Sequence, residues 1–240
     1  MKRLSILICL FLWSTIVRAQ QPSVERLVSN EISVAAYDEA VHGRVFGLTN
    51  PLHKRTALVI GNVTDRAVMY TVVTWRWVRA DGTPGRWTLT SSNFGHPFPI
   101  IGPHSSVAML PETGVIAPGQ QDIAPGQRGM GGMLKVPADM VTGTQMTVSL
   151  DAVILADGQV IGPNGDREVK ELQARQRAIE QVRKIINDAH AQGRDPKLDI
   201  QHAIQTESDP IVKRHLTESS GGGQLTGAPQ KLELPRFYRK

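Results

Sequence analysis

The sequence predicts a mainly β protein, an antiparallel β-sandwich followed by a helical C-terminal extension. Between about residues 32 and 161, short runs rich in valine, threonine and isoleucine are separated by clusters of glycine, proline, asparagine and aspartate, a pattern typical of strands and turns. From residue 163 the apolar residues recur instead at helical spacing. Because the helices follow the strands and do not alternate with them, this order argues against βαβ units.

The first nineteen residues predict a secretory signal peptide. Lys2 and Arg3 precede the apolar run Leu4–Val17, and Ala19 provides a small residue before a cleavage point at Gln20. The alternative, a membrane anchor, would need about 20 apolar residues, which this run does not reach. We therefore predict a secreted or periplasmic protein that does not span a membrane after cleavage. The predicted parts are a signal peptide (1–19), a sandwich domain (20–162), a helical extension (163–218) and a flexible tail (219–240).

Removal of the signal peptide changes the charge and the cysteine content of the chain. Three basic residues and no acid leave with it, so the formal net charge falls from +5 to +2. Such a weak excess argues against nucleic-acid binding, which needs a strongly basic face. The single cysteine, Cys9, leaves as well, so the mature chain has no disulfide and no thiol for catalysis or for zinc binding.

The sandwich domain contains one long strand that is predicted to bury tryptophans. Thr56–Asn62 and Ala67–Val78 are predicted as strands, and a turn at 81–85 brings Arg86–Thr90 back as a third. The segment 32–37 is compatible with an added edge strand or with a surface arm. Alternation along the long strand puts four apolar residues on one face, which favours a core position for Met69, Val73, Trp75 and Trp77.

A hairpin is predicted near the end of the sandwich domain. The run 145–156 alternates with period two, and Asp157-Gly158 then separates it from a short returning strand. This dipeptide suits a two-residue turn in which both central residues have positive φ. The residues predicted to share the inward face are Met146, Val148, Leu150, Ala152 and Ile154.

Two features resemble bacterial exported immunoglobulin-like domains. One is the stretch Gly61–Trp77, a polar turn followed by a β-rich strand that ends in tryptophan. The other is the turn Ala-Pro-Gly-Gln at 117–120, which recurs at 124–127. The resemblance implies an immunoglobulin-like sandwich and assigns no functional residue. A domain of about 130 residues with this strand spacing fits such a fold.

The helical extension begins with one long amphipathic helix, predicted over 166–192. Asp166 is the predicted cap, and Glu171 and Arg175 are predicted to form an i,i+4 ion pair. Two shorter helices are predicted after Asp195-Pro196 and after Asp209-Pro210. The long helix carries an apolar stripe that includes Leu172, Ile179, Val182 and Ile186.

That stripe must be buried against some surface. It packs on the sandwich, pairs with a second copy of the chain, or docks into a partner protein. The sequence leaves these three possibilities open. The candidate interaction residues are therefore Leu172, Ile179, Val182 and Ile186, together with Trp87, which either stacks on a ligand or packs on the core.

No catalytic motif is present, and we predict no catalytic residue, no metal and no cofactor. His96 and His104 lie in one proline-rich loop and could join His42 or His53, but no pair has the spacing of a zinc site. Scattered carboxylates could pair for glycoside hydrolysis only if the fold brought them together; the candidates are Glu112, Asp122 and Asp139.

The preferred hypothesis is an exported, non-catalytic binding or scaffolding protein of the cell envelope, with contacts through its loops and C-terminal helices. The alternative is a hydrolase with dispersed catalytic residues, or a carbohydrate-binding domain, on the sandwich loops.

Overall fold

The structure of the chain is a computed structural model that describes residues 22–25, 27, 29–93, 98–120 and 136–221. The predicted signal peptide and most of the predicted tail, residues 222–240, lie outside this part of the chain. In chain order, its strands are β1 (Ser23–Val24), β2 (Ile32–Ala36), β3 (Leu58–Asn62), β4 (Val68–Val78), β5 (Pro84–Ser92), β6 (Ser106–Leu110), β7 (Gly114–Ile116), β8 (Thr144–Leu155) and β9 (Val160–Ile161). Its helices are α1 (Glu39–Phe46), α2 (Pro51–Thr56), α3 (Ala138–Thr142), α4 (Gly165–Ala191), α5 (Lys197–Thr206) and α6 (Pro210–Gly221).

The strands form two sheets. The first has the order β1-β8-β4-β5, with β9 also paired to β8, and the second has the order β2-β3-β6-β7. All pairs are antiparallel except β1 with β8. The predicted strands 56–62 and 67–78 are thus consecutive in the chain but belong to different sheets. The segment 32–37 forms an edge strand, β2, which resolves the alternative that the sequence left open.

The two sheets share one apolar core. Trp75 and Trp77 of β4 lie in it with Leu58 and Ile60 of β3, and both tryptophans are almost completely buried. The indole N–H of Trp75 donates to the carbonyl of Thr56 at 2.8 Å, so the burial leaves no donor without a partner at this position. The predicted inward face of β4 is confirmed for these tryptophans and Val73. Met69 instead packs on the opposite face, because the register shifts between Val68 and Tyr70.

The proportion of helix is larger than predicted. The structure has 37% helix and 31% strand, so a mainly β composition is not confirmed, whereas a sheet-rich part followed by C-terminal helices is. Two of the additional helices, α1 and α2, lie between β2 and β3. Each begins at a cap: Asp38 accepts from the N–H of Ala40, and Asn50 accepts from that of Leu52. These caps were local signals that the sequence analysis missed.

Strand β8 contains a bulge at Asp151. Val72 of β4 is opposite Ala152 whereas Val73 is opposite Leu150, so Asp151 is an extra residue in β8. The bulge reverses the alternation. Met146, Val148 and Leu150 face the shared core, but Ala152 and Ile154 face the other side of the sheet. The prediction that all five share one face is therefore wrong.

The hairpin after β8 is confirmed, but its loop is different. Val153 is opposite Ile161 and Ile154 is opposite Val160, which leaves a three-residue loop at 156–158. Only Gly158 has positive φ, at 92°, and its N–H donates to the carbonyl of Leu155. This is a turn followed by a left-handed glycine, a common three-residue hairpin, and not the predicted two-residue turn.

The three C-terminal helices form where they were predicted. The cap position of α4 is Asn164, which makes no capping side-chain bond, and Asp166 lies in the first turn; the predicted cap is therefore wrong. Helices α4, α5 and α6 share a small core that includes Val182, Ile200, Val212 and Leu216. The opposite end of α4 packs on the outer face of the first sheet through Leu172.

Candidate binding groove

A groove of about 570 Å³ lies between the outer face of the first sheet and the C-terminal helices. We call it the sheet–helix groove. Its floor comes from β4 and β5, and its walls come from α4 and α6. The residues that line it are Tyr70, Val72, Arg86, Thr88, Thr90, Arg167, Glu168, Glu171, Leu172, Arg175, Arg214, His215 and Glu218.

Apolar packing next to the groove fixes the position of α4. Leu172 forms a cluster with Tyr70 and Val72 of β4 and with Ala152 and Ile154 of β8. The last two residues reach this side of the sheet only because of the bulge at Asp151. The bulge and the helix therefore belong to one arrangement, in which the sheet supplies a small apolar patch for α4.

A buried hydrogen bond joins the floor to the wall. The hydroxyl of Tyr70 donates to Glu168 at 3.0 Å, and Arg167 forms an ion pair with the same carboxylate at 2.9 Å. Burial raises the pKa of Tyr70 strongly, and the neighbouring negative charge of Glu168 adds to the effect. Tyr70 is thus a neutral donor over the physiological range, and the carboxylate of Glu168 is fully engaged.

A chain of polar groups runs below the groove and ends at its floor. Asp151 is buried and accepts from Thr74 at 2.8 Å and from Ser149 at 2.6 Å. Thr74 lies 3.0 Å from the hydroxyl of Thr88. Since a hydroxyl has one hydrogen and that of Thr74 is directed at Asp151, Thr88 is the donor to Thr74. The lone pairs of Thr88 remain available at the floor, so this residue presents an acceptor to the groove.

The charges on α6 are neutralised within the wall. Arg214 forms an ion pair with Glu171, and the two ring nitrogens of His215 contact Glu171 at 3.2 Å and Glu218 at 3.0 Å. Together with the pair of Arg167 and Glu168, this accounts for all three carboxylates that line the groove. The predicted ion pair between Glu171 and Arg175 is absent from the described contacts, because Glu171 pairs with α6.

Two arginines of the groove have no such partner. Arg86 on β5 and Arg175 on α4 are exposed, and neither forms an ion pair or a side-chain hydrogen bond with the described part of the chain. Arg86 is also directly opposite Arg76 in the sheet register. Like charges directly opposite each other on neighbouring strands are unfavourable. The groove therefore has two cations to offer to a negatively charged ligand.

The five candidate interaction residues are buried or half-buried in the structure. Leu172 and Val182 are each only 2% exposed, the first against the sheet and the second among the helices, so neither is accessible to a partner. Ile186 is half-buried against the helical core, and Ile179 is half-buried. Trp87 packs partly on the shared core and donates to the carbonyl of Pro111 at 3.2 Å. The accessible surface near α4 is polar, not the apolar stripe.

The other candidates are not brought together. His53 is buried and contacts Glu112 at 3.1 Å, whereas His104 is exposed and contacts Asp65 at 2.7 Å. Asp139 pairs with Arg79. His96 and Asp122 lie outside the described residues. Within that part of the chain, histidine, cysteine, aspartate and glutamate form no group of three or more that could hold a metal ion.

Comparison with protein-family models, with curated proteins and with solved structures found no match. Among the helices of the described ranges, none is both long and apolar enough to cross a membrane. Any function must therefore be argued from the groove itself.

Proposed function

We propose that this chain is an exported, non-catalytic binding protein of the cell envelope or exterior that holds a partner in the sheet–helix groove. The observation that supports it is the distribution of charge. Arg167 pairs with Glu168, and Arg214 pairs with Glu171 and Glu218, so no carboxylate of the groove is free to act as a general acid or base. Two arginines are free, which suits binding.

We also propose that the two sheets form an immunoglobulin-like sandwich, on which this binding function is built. The order β5-β4-β8-β9 matches the C′-C-F-G order of such domains, and β2-β3-β6 matches A-B-E. The fourth strand of the second sheet departs from the pattern, because β7 follows β6 in the chain and the corresponding D strand precedes E. Comparison of an experimental structure with that order tests this proposal.

Filling the groove without changing its charge tests the binding proposal. Thr90 is exposed on the floor, and Thr90→Trp would occupy space that a partner needs. Thr144→Trp is the matched control, because Thr144 is an exposed strand threonine outside the groove. Each chain, starting at Gln20, is used to capture proteins from envelope extracts of its native organism, with quantification by mass spectrometry. We expect Thr90→Trp to lose a partner that the wild type and Thr144→Trp retain. Equal capture by all three would refute the proposal.

Export is tested separately. We expect the protein isolated from its native organism to begin at Gln20, as N-terminal sequencing would show. A protein that begins at Met1 and fractionates with the cytoplasm would contradict this part of the proposal.

A further inference from the structure

We propose that the ligand of the sheet–helix groove is an acidic, extended segment of a partner protein, held by Arg86 and Arg175 through its carboxylates and by Thr88 through a backbone N–H. This inference rests on the proposed function, because it names the chemistry of what the groove binds.

The free charges require negative groups on the ligand. Arg86 is at the floor and Arg175 is on the wall, so the two cations are presented from different elements. A guanidinium group matches a carboxylate through two parallel N–H···O bonds, and such charge-assisted bonds are stronger than neutral ones. Arg76, which is opposite Arg86, pairs with Glu25 at 3.4 Å, so Arg86 is the member of this pair that lacks an ion-pair partner in the described part of the chain.

The ligand must not be too strongly charged. Glu168, Glu171 and Glu218 of the same groove are already paired with Arg167 and Arg214, so Arg86 and Arg175 are the cations that remain for a ligand. A polymer with a negative charge at every unit, such as polyphosphate, would leave most of its charges without a counter-ion there. A peptide with glutamate or aspartate at intervals can place its carboxylates at the arginines and neutral groups beside the glutamates.

The floor offers a hydrogen-bond acceptor to the ligand. Because the hydroxyl hydrogen of Thr88 is directed at Thr74, its oxygen accepts from the groove side. A peptide carries a backbone N–H at every residue except proline, so it supplies such donors next to its carboxylates. Polyphosphate has no donor of this kind.

Two other occupants fit less well. Among the lining residues, Tyr70 is the one phenylalanine, tyrosine or tryptophan, and it is 2% exposed, so the groove offers no accessible ring of these three types on which a sugar could stack. The chain's own C-terminal segment, residues 222–240, has Lys231, Arg236, Arg239 and Lys240 against a single acid, Glu233. Its charge has the same sign as the free arginines, so it is not complementary to them.

Fluorescence anisotropy tests the inference with a labelled peptide of alternating glutamate and alanine. The matched probe has glutamine in place of glutamate. We expect the chain from Gln20 to Lys240 to bind the glutamate peptide at least about tenfold more tightly, a difference that corresponds to about 1.4 kcal/mol. Raising the salt from about 50 mM to about 500 mM should weaken the binding, because the arginines are exposed.

Substitutions test whether the glutamate peptide binds in the sheet–helix groove. Arg86→Gln with Arg175→Gln should weaken the glutamate peptide about tenfold or more. The control Arg44→Gln removes an exposed arginine from α1, outside the groove, and should leave the affinity within about twofold. Thr88→Val should also weaken binding, whereas Thr88→Ser keeps the hydroxyl and should retain it. Circular dichroism and thermal melting check that each variant is folded.

Several results would overturn the inference. They are equal binding of the two peptides, equal loss in the Arg44→Gln control, no saturable binding of the glutamate peptide up to about 1 mM, and tighter binding of polyphosphate than of the peptide. If any of these occurs while Thr90→Trp still abolishes capture of the native partner, the acidic-peptide inference fails and the proposed binding function stands. If Thr90→Trp has no effect on capture, the proposed function fails first.

Discussion

Two buried carboxylates and their hydrogen-bond partners lie at the face of the first sheet that carries α4. Asp151 is a carboxylate inside the protein whose two oxygens accept from Ser149 and Thr74. A second carboxylate, Glu168, accepts from Tyr70 and pairs with Arg167. Buried polar groups are tolerated when they have partners and are costly when they do not. In the sequence, Asp151 alternates with apolar residues as an exposed polar residue would, and no local signal shows that it is buried.

The pKa of Tyr70 predicts a loss of stability in alkali. Its folded pKa is raised above the ordinary value of 10.0, first by burial and then by Glu168. The unfolded chain therefore loses this proton first, and the stability that the neutral phenol contributes is present below about pH 10 and declines above it. We expect Tyr70→Phe to flatten the alkaline decline of the free energy of unfolding, measured by urea denaturation between about pH 8 and pH 11. Identical slopes for both proteins in that range would contradict the prediction.

The same variant has a second effect at neutral pH. Removal of the hydroxyl leaves Glu168 with one donor fewer in a buried position, so we expect Tyr70→Phe to be less stable by about 1–2 kcal/mol. A variant as stable as the wild type near pH 7 would mean that this hydrogen bond contributes nothing.

Asp151→Asn tests the polar chain below the groove. The amide retains one acceptor oxygen, but its NH₂ group would face a hydroxyl that now donates to the carboxylate. We expect a loss of about 1–3 kcal/mol in the free energy of unfolding, seen as a lower urea midpoint with an unchanged slope. Asp188→Asn is the control, since Asp188 is exposed on α4. Equal midpoints for the two variants would show that the network does not stabilise the fold.

At the scale of elements, the sequence predicts features that depend on neighbouring residues. It does not predict features that depend on pairing with a distant strand. Helices α4 to α6 follow from apolar spacing and from proline at or just before the helix start, which are properties of neighbouring residues. The bulge in β8 depends on the register with β4, and nothing within the run 145–156 reveals it. Helices α1 and α2 were missed because they are short, although their caps could have indicated them.

Two residues of the apolar stripe on α4 are expected to differ in how much stability is lost when each is replaced by alanine. Leu172 is buried against the sheet, whereas Ile179 is half-buried and belongs to none of the apolar clusters among the described residues. We expect Leu172→Ala to cost about 2–5 kcal/mol of stability, because it leaves a cavity between helix and sheet. Ile179→Ala should cost about 1 kcal/mol or less, since alanine also favours the helix. Urea denaturation measures both, and a larger cost at Ile179 would contradict this account of how α4 docks.

At the scale of the whole molecule, the two sheets are stacked face to face, the C-terminal helices pack on the outer face of the first sheet, and Phe46 of α1 packs on the outer face of the second. One apolar core lies between the two sheets, and a second, smaller one lies between the first sheet and α4. The sheet-rich part and the helical extension could be predicted from the sequence. The groove could not, because Arg86 and Arg175 are about ninety residues apart in the chain and meet only when α4 packs on β4. In the sequence, Arg175 is predicted only as an ion-pair partner of Glu171 on the same helix.

An ion-pair cluster around Arg66 joins turns that are distant in the sequence. It predicts how the free energy of unfolding declines in acid. Arg66 contacts Asp157 at 2.6 Å and Glu31 at 2.5 Å. The hydrogen bond from Arg66 holds the pKa of Asp157 below its ordinary value of 3.8. Its contribution to stability is therefore present above about pH 4 and is lost as the pH falls through the folded pKa. We expect Asp157→Asn to be less stable than the wild type near pH 6 and to show a smaller decline below pH 4, in urea denaturation across that range.

The control for this prediction is again Asp188→Asn, which removes the same charge at a position with no ion pair in the described contacts. It should leave the acid decline unchanged. A similar flattening in both variants would attribute the effect to net charge and not to the Arg66 cluster.

The extra residue at Asp151 separates two properties of β8 that a regular strand would combine. Leu150 and Val153 both face the core between the sheets although they are three positions apart, because the strand accommodates Asp151 between them. Deletion of Asp151 would leave Val72 opposite Ala152 and Val73 opposite Leu150, so Ala152 and Ile154 would stay on the side of α4. The deletion would instead remove the buried carboxylate that accepts from Ser149 and Thr74. The docking of the C-terminal helices thus depends on the register of β8 with β4, whereas the polar chain below the groove depends on the extra residue.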